Sequence, residues 1–152
     1  MTSRLLTRFA LALLLMGLFG ACSSFDARWK AAAHGPATRW DGRWTSEKHH
    51  KSNGSSMGGR LRCVLEPKGD DRLGAYFHAN WLIFSGNYDL TLEPVAAGPR
   101  RQKARNYRGT HEMPAAFGGI YHYTAAIGGD RFDARYTSSY DHGTFTLLRV
   151  LP

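Results

Sequence analysis

From residue 40 onward the chain alternates. Leu61, Cys63 and Leu65 take turns with Arg60, Arg62 and Val64, and Tyr88, Leu90 and Leu92 with Asp89, Thr91 and Glu93. Phe117, Tyr121, Tyr123 and Ile127 share one parity. Phe132, Ala134 and Tyr136 alternate with Arg131, Asp133 and Arg135, and Phe145 and Leu147 extend the set. A period of two is that of a strand with one buried face. No stretch after Trp40 holds a 3.6-residue period over ten residues. Turn-type clusters separate the runs, at residues 67–71, 85–87, 98–99, 128–130 and 141–143. Eight strands are predicted, near 40–47, 58–66, 72–84, 86–95, 101–110, 118–127, 130–138 and 143–150. Short links between consecutive strands favour an antiparallel meander. Eight strands close into a barrel that is either filled by side chains or holds one small ligand. Closure also removes exposed sheet edges. The predicted fold is therefore all-β, an eight-stranded antiparallel up-and-down barrel over residues 40–152, with a two-sheet sandwich as the competitor.

The N-terminus has a different pattern. Arg4 and Arg8 form a basic start, and Phe9–Ala21 carries no charge and no polar side chain. That run falls short of the roughly 20 apolar residues a spanning helix needs. A basic start, a short apolar centre and the small pair Gly20-Ala21 compose a secretory signal over residues 1–21. The small pair directly before Cys22 resembles the bacterial lipobox, with Phe19 where that motif usually has Leu. The resemblance implies lipidation of Cys22 and anchoring by several acyl chains, palmitate among them, without spanning. Ser23, in place of Asp, implies the outer membrane. Residues 22–39 are small and polar with one Gly-Pro pair, and read as a lipidated tether. A short helix around Ala27–Ala33 is the alternative there.

Length and charge narrow the classes. A chain of 152 residues with 43% hydrophobic and 21% charged residues is neither disordered nor a coiled coil, and it cannot build the two cores of a two-lobed enzyme. Its formal net charge is +8. Cleavage after Ala21 would leave 18 basic against 12 acidic residues, since only two arginines precede it. Two cysteines are present, and lipid on Cys22 would leave Cys63 without a partner. The parity of Cys63 with Leu61 and Leu65 predicts a buried, inert thiol.

Gly42-Arg43-Trp44 at the first strand and Arg149 near the end of the last resemble the calycin pattern of lipocalins, fatty-acid-binding proteins and avidins. That resemblance implies that Trp44 closes one barrel end and that Arg149 packs as a cation over its face. The second lipocalin motif, Thr-Asp-Tyr after the sixth strand, and the usual lipocalin disulfide pair are absent. The closing stretch, Phe132–Ser138 and Asp141–Phe145, is similar to small envelope proteins of planctomycete-type bacteria.

Candidate chemistry is sparse. Gly54-Ser55-Ser56-Met57-Gly58 matches the nucleophile elbow formally, but that motif works only between a core strand and a helix, and here a polar loop precedes it. The seven histidines show no i, i+4 pair of the zinc-enzyme type, so no metal is predicted, although barrel strands could bring His78 and His122 together. Arg100, Arg101, Lys103, Arg105 and Arg108 form a basic cluster. Behind a secretory signal it suits an anionic envelope surface better than nucleic acid, and a solvated charged strand is its plainer reading. Trp44, Phe77, Trp81, Tyr88, Tyr121, Tyr123, Phe132, Tyr136 and Phe145 are expected inside the barrel or at its mouth, where they suit a flat or amphipathic ligand or fill the interior solid.

The expectation is a lipid-anchored, non-catalytic envelope protein without cofactor. It would bind a small apolar or amphipathic ligand in the barrel, or an anionic envelope polymer through the basic cluster. The alternative is a filled barrel acting as a structural or interaction module. An envelope hydrolase using Ser56 is the third reading. Oligomeric state is left open.

Overall fold

The computed structural model describes residues 24–81, 84–95 and 104–151. Eight strands follow in chain order: β1 (Thr38–His50), β2 (Ser56–Pro67), β3 (Leu73–Trp81), β4 (Phe84–Pro94), β5 (Arg105–Glu112), β6 (Ile120–Gly128), β7 (Arg131–Thr137) and β8 (His142–Val150). Each pairs antiparallel with the next, and β1 pairs with β8, so the sheet closes into an up-and-down barrel. The sandwich is excluded. A 3-10 turn at Ala115–Phe117 links β5 to β6.

Closure depends on close backbone approach along the β1–β8 seam. Gly42 stands opposite Leu147, and a Cβ on Gly42 would run into the Thr146 carbonyl. Gly143, opposite Ser46, would drive a Cβ into the Thr45 carbonyl. Two glycines thus let the last strand settle onto the first.

The inward parity is filled at one end and open at the other. At the base, Trp40, Leu65, Leu92, Phe132 and Leu147 are buried, and the Trp40 indole meets Phe132 edge-on at 5.8 Å. Above them Phe77 packs against Phe132 and Phe145, with Cys63 and Ala75 fully buried beside it. Small alanines at 75, 79, 125 and 134 make room for these rings. Cys63 is free and buried as expected, and burial pushes its thiol well above the ordinary value.

Trp44 does not have the neighbours that the calycin comparison implied. The register sets it opposite Phe145, towards the end where β1 runs into the 51–55 loop, and its indole N–H donates to the Asn80 carbonyl at 3.0 Å. Arg149 stands opposite Trp40 instead, four residues down β1. Trp40, not Trp44, closes the base. The reason is strand length: β1 begins at Thr38, two residues before Trp40, so position 44 is already the middle of the strand.

The segment read as a tether is docked. Residues 24–31 form a helix that lies on the outside of β2 and β3. Phe25 and Ala32 are buried against Val64, an outward-facing residue with no exposure. Phe25 stacks on His78 at 5.3 Å, and Arg28 reaches Glu66 at 2.5 Å while lying over the Tyr76 ring. Phe25, Trp29 and Ala32 fall on one helical face, and this burial, rather than propensity, holds so short a helix.

Candidate functional site: the barrel mouth

The end opposite Trp40 holds a cavity of about 560 Å³. Its wall is Trp44 from β1, Met57 and Leu61 from β2, Ala79 from β3, Tyr88 from β4, Tyr121 and Tyr123 from β6, Tyr136 from β7 and Phe145 from β8. His49, Met113, Tyr140 and Asp141 complete the rim. The size falls within the range of small-molecule sites. A second depression of about 600 Å³ lies over β5–β8, but it is a shallow saddle bordered by Thr124, Ala126, Arg135 and Thr144.

The tyrosines form a continuous belt. Tyr121, Tyr123 and Tyr136 make a triangle, with ring centroids 6.5, 6.1 and 6.4 Å apart. Tyr88 joins it through Tyr123 at 6.4 Å and stacks on Phe77 below at 4.9 Å. Burial pushes the phenols of Tyr88, Tyr121, Tyr123 and Tyr136 above their ordinary value. For Tyr136 the neighbouring Asp141 adds to that effect. All four remain neutral hydroxyls, able to donate and accept.

Asp141 is the polar anchor of the mouth. It lies in the tight β7–β8 turn, where the Ser138 hydroxyl accepts from the Tyr140 and Asp141 amides. Its Oδ1 accepts from the Ser46 hydroxyl at 2.7 Å and from the His142 amide at 2.8 Å. Its Oδ2 accepts from the Tyr136 hydroxyl at 3.1 Å. Ser46 is fully buried, and its hydroxyl oxygen also accepts from the Lys48 and His49 amides where β1 departs from regular pairing. His49 Nε2 lies 3.9 Å from Asp141 Oδ1 and 3.2 Å from the Tyr140 carbonyl. Charge-assisted bonds of this kind hold a carboxylate in one orientation.

The structure therefore gathers Trp44, Tyr88, Tyr121, Tyr123, Tyr136 and Phe145 at the cavity, while Phe77 and Phe132 belong to the packed base. The Trp81 side chain lies outside the described residues. So do Cys22, Arg100, Arg101 and Lys103. Of the remaining basic cluster, Arg105 is exposed and paired with Asp71 at 2.6 Å, and Arg108 is exposed on β5 opposite Glu93. His78 and His122 do not converge: both lie on the outward parity, of β3 and β6, and His78 is bonded to Asn87. Among the described residues no group of three or more histidine, cysteine and acidic side chains could hold a metal ion. Ser56 opens β2 opposite His50 and continues as strand, and among the described residues no hydrogen bond joins it to a histidine.

Sequence reading missed Asp141, Ser46, His49, Tyr140, Met57 and Met113. Asp141 was legible only as a turn residue, and its bond to Ser46 spans 95 positions. No protein-family model matches the chain, and no curated protein matches it in sequence.

Proposed function

We propose that this is a lipid-anchored, non-catalytic envelope protein that holds a small apolar or amphipathic molecule in the barrel mouth. The observation that carries the reading is the half-filled interior: a packed base of Trp40, Phe77 and Phe132 under an aromatic cavity of about 560 Å³. A barrel needed only as a scaffold would close over its rings. This one leaves six of its predicted interior aromatics around open space. The alternative, a filled structural module, fits the base and not the mouth.

The anchor rests on the signal-like residues 1–21 and on Cys22. Ser24 already belongs to the docked helix, so acyl chains on Cys22 would sit two residues from a segment held to the barrel wall. The barrel would then ride close to the membrane surface. In that reading the outer membrane is its location and the exposed Arg105 and Arg108 meet anionic envelope polymers.

Native mass spectrometry of the full chain isolated from membranes tests the cavity. A bound small molecule, lost on substitution of Ala79 by Trp, is the expected result. An empty barrel that also takes up no neutral apolar probe refutes it. Cys22→Ser tests the anchor separately: the protein is expected to leave the membrane fraction, and unchanged partition refutes the lipidation.

A further inference from the structure

The chain carries a formal charge of +8, yet among the described residues no lysine or arginine lines the mouth cavity, and Lys48 comes near it only at the rim, its ammonium 5.8 Å from the Tyr140 ring centroid. Among the described residues its lining holds one carboxylate, Asp141, and one histidine, His49. The Tyr136 hydroxyl that touches Asp141 belongs to the tyrosine triangle. With centroids 6.1 to 6.5 Å apart, a point above the centre of that triangle lies within about 6 Å of all three rings, the reach of a cation–π contact.

We infer that the mouth cavity selects organic cations, with an ammonium head between the Asp141 carboxylate and the tyrosine triangle and an apolar body against Trp44 and Phe145. This rests on the cavity reading above and gives it a ligand class. The carboxylate supplies the charge, and the rings supply a surface that tolerates an alkylated nitrogen, which cannot donate enough hydrogen bonds to satisfy a polar pocket. Three donors already fix Asp141, so its orientation costs nothing further when a ligand arrives. An anionic amphiphile such as a fatty acid would meet the same carboxylate with no lysine or arginine among the described lining residues to offset it, and like charges in a desolvated site repel. Two basic groups stand at the rim near the ligand's head: His49, 3.9 Å from Asp141, and Lys48, whose ammonium lies 5.8 Å from the Tyr140 ring centroid.

The test uses the full chain in lipid nanodiscs, with empty nanodiscs as the blank, and three probes sharing one phenylalkyl body. One ends in trimethylammonium, one in a hydroxyl and one in a carboxylate. Calorimetry is expected to rank the cation at least tenfold tighter than the alcohol, with the carboxylate weakest. In Asp141→Asn, whose amide can still bond Ser46, His142 and Tyr136, the preference for cation over alcohol is expected to fall to within twofold. Equal binding of cation and alcohol by the unaltered protein overturns the selectivity and leaves the cavity reading intact. So does a preference that survives Asp141→Asn. Failure of all three probes overturns the cavity reading itself.

Discussion

Replacing Phe25 by Ala separates a docked helix from a loose tether. Phe25 keeps only 4% of its surface exposed. Its ring lies 5.3 Å from His78 and 5.8 Å from Trp29, with the Arg62 guanidinium 5.1 Å from its centroid. Burying a phenylalanine is worth about 1.5–3 kcal/mol, and truncation in a rigid core costs about 3–5 kcal/mol. This site is not a rigid core, because the helix can lift away. The loss is therefore capped by the docking free energy, and about 2–3 kcal/mol is expected. With a urea m-value of about 2 kcal/mol/M, the unfolding midpoint should fall by roughly 1 M. Undocking also uncovers Val64, so amide protection should drop over residues 24–33 before it drops in the barrel. Once Phe25 is gone, adding Trp29→Ala should cost less than it does alone, because both act on one docking event. A midpoint shift worth under about 0.5 kcal/mol, with unchanged exchange over 24–33, would refute the packing account.

Three further outcomes follow from other parts of the barrel. Gly143→Ala should destabilise by about 3 kcal/mol, since the new methyl meets the Thr45 carbonyl and lies 2.6 Å from the Tyr136 hydroxyl; an unchanged melting temperature would contradict the seam geometry. Cys63 should resist thiol reagents until the barrel unfolds, because burial keeps it protonated; rapid labelling of the native protein would contradict this. Arg131, with help from Thr146, holds the Asp133 carboxyl below its ordinary 3.8. A depressed folded value adds stability that is complete above about pH 4 and fades as pH falls through that lower value. Asp133→Asn should flatten this acid limb of the stability curve, and an unaltered limb would count against the Arg131–Asp133 pair.

The eight strands were legible because alternation is a local property. Phe132, Ala134 and Tyr136 could be assigned to one face without knowing what that face covers, since side chains of a strand must point to opposite sides. The same holds for the interior aromatics as a set. Their division into base and mouth was not legible, because it depends on how far each strand extends past its neighbour. Trp44 shows this: its motif suggested a plug, and the register of a long β1 made Trp40 the plug and left Trp44 on the cavity wall. Helix docking was hidden for a related reason. Phe25, Trp29 and Ala32 have helical spacing, but a segment so short forms no stable helix until Val64 and Tyr76 offer it a surface.

Composition and alternation decide that this chain buries one face of eight strands, since the penalty for exposing that face is paid residue by residue. Closure, the open mouth and the Ser46–Asp141–Tyr136 bonds arise only when distant strands meet. They depend on separations in space that neighbouring residues do not encode, and a carboxylate read as part of a turn reaches the cavity wall only there.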